Sequence, residues 1–356
     1  MIDVIDLRKT FDNGFEALKG VNLKINHGDL VCLLGPSGCG KSTILNLIAG
    51  LLDPTGGDIL FHGKSVVDKH PGDRRIGMVF QSYALYPHMT VMENVLFPLR
   101  VGKRKKTQEE ALRIAKEYME LTSITELAEK KPGQMSGGQQ QRVAITRALV
   151  QNPEVLLLDE PLSNLDARLR LKIREEIRRL VKRIGMTTIF VTHDQEEALS
   201  ISDKIALMDE GVIQQYAGPQ ELYLDPVNLF AAKFIGNPVI NTFEVKKEDG
   251  QLRGDGFSIA LDRLEEDRIC GDLDQGEFIL GVRPEHFVLK EDGPLKVEVE
   301  LVEMIGRYCI IHFELGERKT QAVLDSRMTI KVGDRLNFDF DYSSFFLFDK
   351  SGKRVY

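Results

Sequence analysis

The nine residues Gly35-Pro36-Ser37-Gly38-Cys39-Gly40-Lys41-Ser42-Thr43 hold the densest chemistry in the chain. Glycine, four residues, then Gly-Lys-Ser is the spacing of a phosphate-binding loop. Gly35, Gly38 and Gly40 lack a Cβ, so the backbone can approach a polyphosphate and adopt φ > 0. Their N–H groups then converge on one anion site. In such a loop Lys41 reaches the β- and γ-phosphates and the Ser42 hydroxyl binds Mg²⁺. Polar groups also end three separate apolar runs: Gln81 one, Asp159-Glu160 a second and His193 a third. Open parallel sheets bind ligands at the carboxyl ends of their strands. There Asp159 would orient the Mg²⁺ shell, Glu160 would polarise an attacking water as general base, and His193 would sense a γ-phosphate. Singly, each has an ordinary explanation, a solvated acid pair or a satisfied histidine. Their recurrence at equivalent strand ends, beside a phosphate loop, points to ATP with Mg²⁺.

Holding these groups requires a sheet flanked by helices. The apolar run 30–34 suits a buried parallel strand. The run 42–49 reads as a helix whose positive end faces the phosphates. Gly50 is placed as its C-cap. Strands are expected over 3–8, 18–25, 58–61, 75–80, 155–158, 187–191, 204–208 and 212–217, and a helix over 219–225. Residues 90–152 read as almost entirely helical, with Thr107-x-x-Glu110 as a capping box opening a helix through Leu121. Ser136 is a good N-cap for a helix to about 151. The glycines Gly137 and Gly138 behind it weaken that helix, which points to the close approach of something bulky. A further helix over 167–183 carries an apolar stripe of Leu169, Ile173, Ile177, Leu180 and Ile184. The acid-rich stretch 194–197 starts another.

Phe11 and Phe15 lie in a turn ahead of the loop. A ring there either stacks on adenine or packs into the core. The stretch 82–89 is aromatic and nearly uncharged, which fits a contact surface or a locally buried loop. Beyond 236–238 short alternating runs between Gly- and Asp-rich turns indicate a small all-β barrel or sandwich. The expected organisation is an α/β domain over 1–235, with a helical subdomain at about 88–152, and a β-rich domain over 236–356.

A length of 356 residues suits two domains. A net charge of -7 gives no electrostatic footprint for nucleic acid. No apolar run approaches the ~18 residues of a membrane span. No basic region precedes a long apolar core at the N-terminus, so no secretory signal is expected. Cys32, Cys39, Cys270 and Cys309 show no C-x-x-C spacing and read as reduced thiols of a cytosolic protein. The basic run 103–106 reads as a solvated loop.

The whole chain resembles the ATP-binding subunit of ABC transporters, in particular the sugar importer group. Beside the phosphate loop, Gln81 matches the family's Q-loop and Met135-Ser136-Gly137-Gly138-Gln139 its signature motif, with methionine for the usual leucine. Leu156-Leu157-Leu158-Asp159-Glu160-Pro161 matches Walker B, Ser163-Asn164-Leu165-Asp166 the D-loop and His193 the H-loop switch. The resemblance implies a P-loop ABC ATPase fold with a helical subdomain, followed by an OB-like regulatory barrel whose most recognisable segment is 281–286. It implies Gln81 as a catalytic and metal-contacting residue, Phe11 near the adenine-stacking position, and Asp166 among the nucleotide contacts. Two copies of the chain, or this chain and a close paralogue, would pack head to tail. Ser136, Gly137, Gly138 and Gln139 of one copy would then meet the nucleotide of the other. The 82–90 region would receive a transmembrane permease subunit. An extracytoplasmic solute-binding protein would act indirectly, and the chain would sit on the cytoplasmic face of the membrane. The segment 235–241 resembles sugar-type members; polyamine, iron and other small-solute importers share much of the pattern. A different class, soluble ABC ATPases acting on DNA or ribosomes, usually carries two cassettes or a long coiled-coil insertion, and this sequence has neither.

Overall fold

The computed structural model describes residues 1–103, 105–271, 273 and 276–356. Arg104, of the expected basic loop, lies outside the described residues. Two compact units, Met1–Gln220 and Glu221–Tyr356, make up the chain.

In chain order the strands of the first unit are β1 (Ile2–Thr10), β2 (Glu16–Ile25), β3 (Leu30–Leu34), β4 (Gly56–Phe61), β5 (Lys64–Ser65), β6 (Ile76–Val79), β7 (Val155–Asp159), β8 (Thr187–Thr192), β9 (Lys204–Asp209) and β10 (Val212–Ala217). Its helices are α1 (Lys41–Ala49), α2 (Val91–Arg100), α3 (Gln108–Leu121), α4 (Gly137–Leu149), α5 (Ala167–Ile184) and α6 (Gln195–Ile201). The central sheet runs β10-β9-β3-β8-β7-β6, with β9, β3, β8, β7 and β6 parallel and β10 antiparallel at one edge. Its inner strands are covered on both faces, and all five residues of β3 are buried. A second, antiparallel sheet runs β2-β1-β4-β5. Both sheets share one core with α1, built on Leu18, Val31, Leu33, Leu45, Ile48, Leu157 and Ile189. Parallel order puts the ends of β3, β6, β7 and β8 on one edge, so the phosphate loop, Gln81, Asp159-Glu160 and His193 all follow from the same side of the sheet.

The 90–152 stretch is less continuous than expected. Helix α2 ends at Arg100, α3 starts after Thr107, and only short 3-10 turns lie between α3 and α4. The three helices share a separate core of Val91, Val95, Leu99, Ala111, Ala115 and Val143. Thr107 caps α3 through Glu110 N–H, but the Glu110 carboxylate pairs with Lys106 at 2.8 Å instead of closing the box. The reciprocal boxes are at Thr90/Glu93 and Ser136/Gln139.

The units divide inside α7 (Pro219–Leu224), ahead of the expected boundary at 235. Residues beyond α7, including α8 (Leu229–Phe234), go with the C-terminal unit: Ala232 packs with Ile240, Phe346 and Phe348, Leu229 N–H donates to Gly352 O at 2.8 Å, and the chain on either side of α8 is bound by Arg283. Its buried guanidinium donates to the carbonyls of Ile235, at 2.7 Å, and Tyr223, at 2.5 Å, and lies over the Tyr223 ring. The strands that follow are β11 (Asn241–Glu248), β12 (Gln251–Gly254), β13 (Phe257–Ala260), β14 (Glu277–Val282), β15 (Phe287–Leu289), β16 (Leu295–Ile305), β17 (Tyr308–Leu315), β18 (Arg318–Asp325), β19 (Arg335–Phe340) and β20 (Phe346–Phe348). They form two antiparallel five-stranded sheets, β13-β12-β11-β14-β20 and β15-β19-β16-β17-β18. The buried Asn241 side chain joins them, donating to Gln321 O at 2.9 Å and accepting from Gln321 N–H at 2.9 Å. Phe243, Phe287, Phe313, Phe338 and Phe340 fill the interior.

Candidate nucleotide site

The three loop glycines have different reasons to be glycine. All have positive φ, 154° at Gly35, 84° at Gly38 and 105° at Gly40. A Cβ at Gly35 would collide with the Met208 carbonyl, and one at Gly40 would lie 2.8 Å from Ala17 O. A Cβ at Gly38 would meet nothing within 4 Å. Only Gly38 therefore leaves its space toward an incoming group; the other two seat the loop on β9 and β2. Lys41 is buried, and its Nζ donates to Gly35 O and Pro36 O, each at 2.8 Å. The ammonium is thus stored inside the loop that carries it. Cys39 is buried beside it, with Sγ 3.7 Å from Nζ.

Asp159 ends β7, Glu160 follows it, and their side chains make different contacts. Ser42 Oγ donates to Asp159 Oδ1 at 3.3 Å. Burial raises the Asp159 carboxyl above the usual carboxylate range, and the Glu160 charge adds to it; the Ser42 bond and Lys41 oppose the shift. Glu160 sits in the left-handed region, φ 43°. Such a backbone costs a non-glycine residue about 1–3 kcal/mol, and it is fixed here by Glu160 N–H donating to Val191 O at 3.1 Å. That turn aims the carboxylate between two groups. Gln81 Nε2 donates to Oε2 at 3.2 Å, and His193 Nδ1 lies 3.2 Å from Oε1.

The turn before α5 steadies this arrangement. Ser163 Oγ donates to Glu160 O at 2.9 Å and receives Gln81 Nε2 at 3.3 Å, while Asn164 Nδ2 donates to Gln81 O at 2.8 Å. Asp166 caps α5 through Leu169 N–H at 3.0 Å. In the sequence Ser163 and Asn164 belong to a motif that does not reveal these roles, and 194–197 reads only as an acidic helix start. Glu197 is in fact buried, accepting from Thr192 Oγ1 at 2.7 Å. The apolar Ala198 and Ile201 beside it, both buried, were the available signal.

The remaining expected site residues lie apart. Ser136 caps α4, accepting from Gln139 N–H at 3.4 Å, while the Gln139 amide oxygen accepts from Ser136 N–H at 3.0 Å. No hydrogen bond among the described residues joins this helix tip to the phosphate loop. The bulk expected against Gly137 and Gly138 is supplied within the chain. A Cβ on Gly137 would lie 2.9 Å from Leu165, and one on Gly138 3.1 Å from Leu169. Phe11 is half-buried, with Lys9 Nζ 5.4 Å above its ring; Phe15 is exposed.

The 82–89 loop is only partly buried. Tyr83 is buried, whereas Ser82, Ala84, Pro87 and His88 are exposed. Arg147 donates to Ala84 O at 2.7 Å and Tyr83 O at 3.1 Å; buried Asn94 accepts from Tyr86 N–H and donates to Tyr86 O and Thr90 O.

The donor set fits a hard cation brought by a polyphosphate. Ser42 and Asp159 share one bond, and no group of three or more His, Cys, Asp or Glu able to hold a metal occurs among the described residues. Mg²⁺ is typically held by one or two carboxylates with substrate phosphates supplying the rest. No helix among the described residues is long and apolar enough to cross a membrane.

A phosphate loop leading into α1, a carboxylate pair closing a parallel strand, and a separate helical core define a P-loop ATPase of the cassette type. The family model described as ABC transporter matches residues 18–163, and the TOBE domain model matches residues 280–348. The trehalose/maltose import ATP-binding protein of Thermococcus litoralis is 40% identical, over 100% of this chain and 99% of that protein. The sn-glycerol-3-phosphate import ATP-binding protein of Roseobacter denitrificans is 40% identical, over 99% of each. Among solved structures, a dimeric ATP-binding cassette in a post-hydrolysis state, bound to ADP and Pi, superposes with a TM-score of 0.55 at 36% identity. That match covers 62% of this chain and 99% of that one. The chain belongs to the ABC transporter family as an ATP-hydrolysing, ATP-binding subunit.

Proposed function

We propose that this subunit cleaves ATP in a pocket completed by a second copy of the chain, and that the cleavage drives import of a carbohydrate or related polyol through a separate permease. The observation that carries the catalytic half is the bracketing of Glu160 by Gln81 and His193, each at 3.2 Å, on a backbone aimed by its left-handed turn. In this reading the N–H groups of 35–43 and Lys41 cradle the triphosphate, with Lys41 leaving its carbonyl partners for phosphate oxygens. Phe11 stacks on adenine. Ser42, Asp159 and Gln81 would hold Mg²⁺, which when bound neutralises charge on the phosphates. Glu160 polarises the attacking water as general base, a role worth about 10²–10⁴-fold, and His193 bridges to the γ-phosphate. Ser136, Gly137, Gly138 and Gln139 of the second copy close the pocket, with Asp166 at the contact. The separation of Ser136 from the phosphate loop within one chain supports that division.

The 82–90 loop is the proposed permease contact, on the cytoplasmic face of the membrane. Its exposed residues are carried on a backbone pinned by Arg147 and Asn94, which suits a rigid docking surface. The solute class rests on relatives named for trehalose/maltose and for sn-glycerol-3-phosphate; a solute-binding protein would deliver it from outside. Glu160→Gln tests the catalytic half. ATP binding should persist, turnover should fall about 100-fold or more, and the chain should accumulate as a nucleotide-bound dimer. Normal turnover would refute the base assignment. Stimulation of the reconstituted complex by a sugar-loaded binding protein, and not by a polyamine- or iron-loaded one, tests the solute.

A further inference from the structure

Arg170, one turn into α5, touches none of the groups assigned to ATP, yet it binds the loop that carries His193. Its Nη2 donates to Leu165 O at 3.3 Å, its Nη1 to Asp194 Oδ2 at 3.5 Å, and its Nε lies 3.5 Å from Glu197 Oε1. The Nε is buried within ion-pair reach but outside hydrogen-bond alignment. The guanidinium thus spans two chain segments. One is the turn that steadies Gln81 and Glu160 through Ser163 and Asn164. The other is Thr192-His193-Asp194, fastened by Asp194 N–H to Thr192 Oγ1 at 3.0 Å and by Asp194 Oδ1 accepting from Glu196 and Glu197 N–H. Glu197, 4% exposed, has Thr192 as its one side-chain hydrogen-bond donor among the described residues.

We infer that Arg170 is a positioning residue for His193: it locks the turn before α5 to the 192–197 segment and so holds the imidazole against Glu160. This rests on the reading of His193 and Glu160 given above. The charged and titratable groups facing Glu197 are Arg170 from α5, Asp194 from the same helix start, His193, and Cys32 from β3. Burial raises the Glu197 carboxyl and Asp194 adds to that, while Arg170 and His193 lower it. Without the guanidinium, Glu197 takes up its proton at higher pH, its contact with Thr192 changes, and the segment before α6 loosens.

The test is the steady-state ATPase of the full chain between about pH 6 and about pH 8.5 for Arg170→Ala, Arg170→Lys, Glu197→Gln and the Arg170→Ala/Glu197→Gln pair. Arg170→Ala should lower kcat about 10- to 100-fold with little change in KM, as misplacing a catalytic group does. The acid limb of its profile should move to higher pH, and Arg170→Lys should restore part of both. Glu197→Gln should flatten the acid limb, and Arg170→Ala should cost less on top of it than alone, because the two residues act through one network. Parental kcat in Arg170→Ala, an unmoved acid limb, or full additivity would overturn the inference. Should Arg170→Ala not fold, Arg170→Lys and Glu197→Gln carry the pH test; acid limbs unchanged in both would overturn it. Glu160→Gln measured alongside separates the two failures. If that variant turns over normally, the site reading fails; if it arrests while Arg170→Ala is neutral, only the present inference fails.

Discussion

The two units treat their partly or fully buried carboxylates in opposite ways. At the nucleotide end, among the described residues, half-buried Asp159 has one side-chain donor at 3.3 Å, and buried Glu197 has one at 2.7 Å with Arg170 Nε 3.5 Å away; burial raises both above the usual range. In the barrel, Asp339 is buried, and burial again pushes upward, but Lys290 at 2.6 Å, the Tyr342 hydroxyl at 2.7 Å and Phe340 N–H at 2.9 Å outweigh it and leave the carboxyl below its ordinary range. Asp341 follows the same pattern: burial is outweighed by the Ser343 and Ser344 hydroxyls, each at 2.7 Å. A desolvated carboxylate with full partners holds a fold; one with too few, such as Asp159, awaits one. The difference marks where this molecule keeps binding capacity in reserve.

Neutralising one carboxylate of each kind should therefore have opposite effects. Asp159→Asn should cut ATP turnover by about 100-fold or more while the melting midpoint of the nucleotide-free chain stays level or rises. A fall in that midpoint matching the loss of activity would break the contrast. Asp339→Asn should do the reverse. It leaves Lys290 and Tyr342 without an ionised acceptor, costing about 2 kcal/mol of stability, with kcat unchanged. The effect is also pH-dependent with a definite sign. An aspartate whose folded pKa lies below its ordinary value of 3.8 stabilises the fold fully above that value, and the contribution is lost as pH falls through the folded pKa. Acid unfolding monitored for parent and Asp339→Asn should thus converge at low pH. A constant gap down to the acid transition would remove Asp339 from the matched class.

Most of the framework was legible because parallel central strands read as unbroken apolar runs. Leu30–Leu34 and Val155–Asp159 announce themselves that way, and the glycine spacing announces the loop between strand and helix. The exposed edge of the sheet then follows from parallel order. What the sequence hid was non-local. Glu197 reads as one more solvated acid in 194–197, since nothing nearby in the chain shows that Arg170, from another helix, faces it. The left-handed turn at Glu160 is imposed by Val191 on the adjacent strand. Gly137 and Gly138 were sensed as crowded, but Leu165 and Leu169 could be named only from the packing of α4 on α5. The unit boundary falls ahead of 235 for the same reason: Phe346 and Phe348, far along the chain, pack on Ala232, and Arg283 reaches back to Tyr223 and Ile235.

The contrast between matched and unmatched carboxylates has a weak form at the helix starts, and it gives the smallest expected effect. At Thr90 the Glu93 carboxylate accepts the N-cap N–H at 2.7 Å, an acceptor placed where an orphan donor needs it. At Thr107 the threonine does its half, but Glu110 turns to Lys106, 2.8 Å away on the surface. An exposed i,i+4 ion pair of this kind contributes a few tenths of a kcal/mol, whereas losing an N-cap costs ~1 kcal/mol. Thr107→Ala should therefore lower the chain's stability by about that amount, and Glu110→Gln should move the urea midpoint far less. Raising the salt concentration should shrink the Glu110→Gln effect, because Lys106 is its partner, and leave the Thr107→Ala effect in place. If Glu110→Gln instead costs as much as Thr107→Ala and ignores salt, the carboxylate closes the box in solution, and Glu110 belongs with Glu93 among the matched acids.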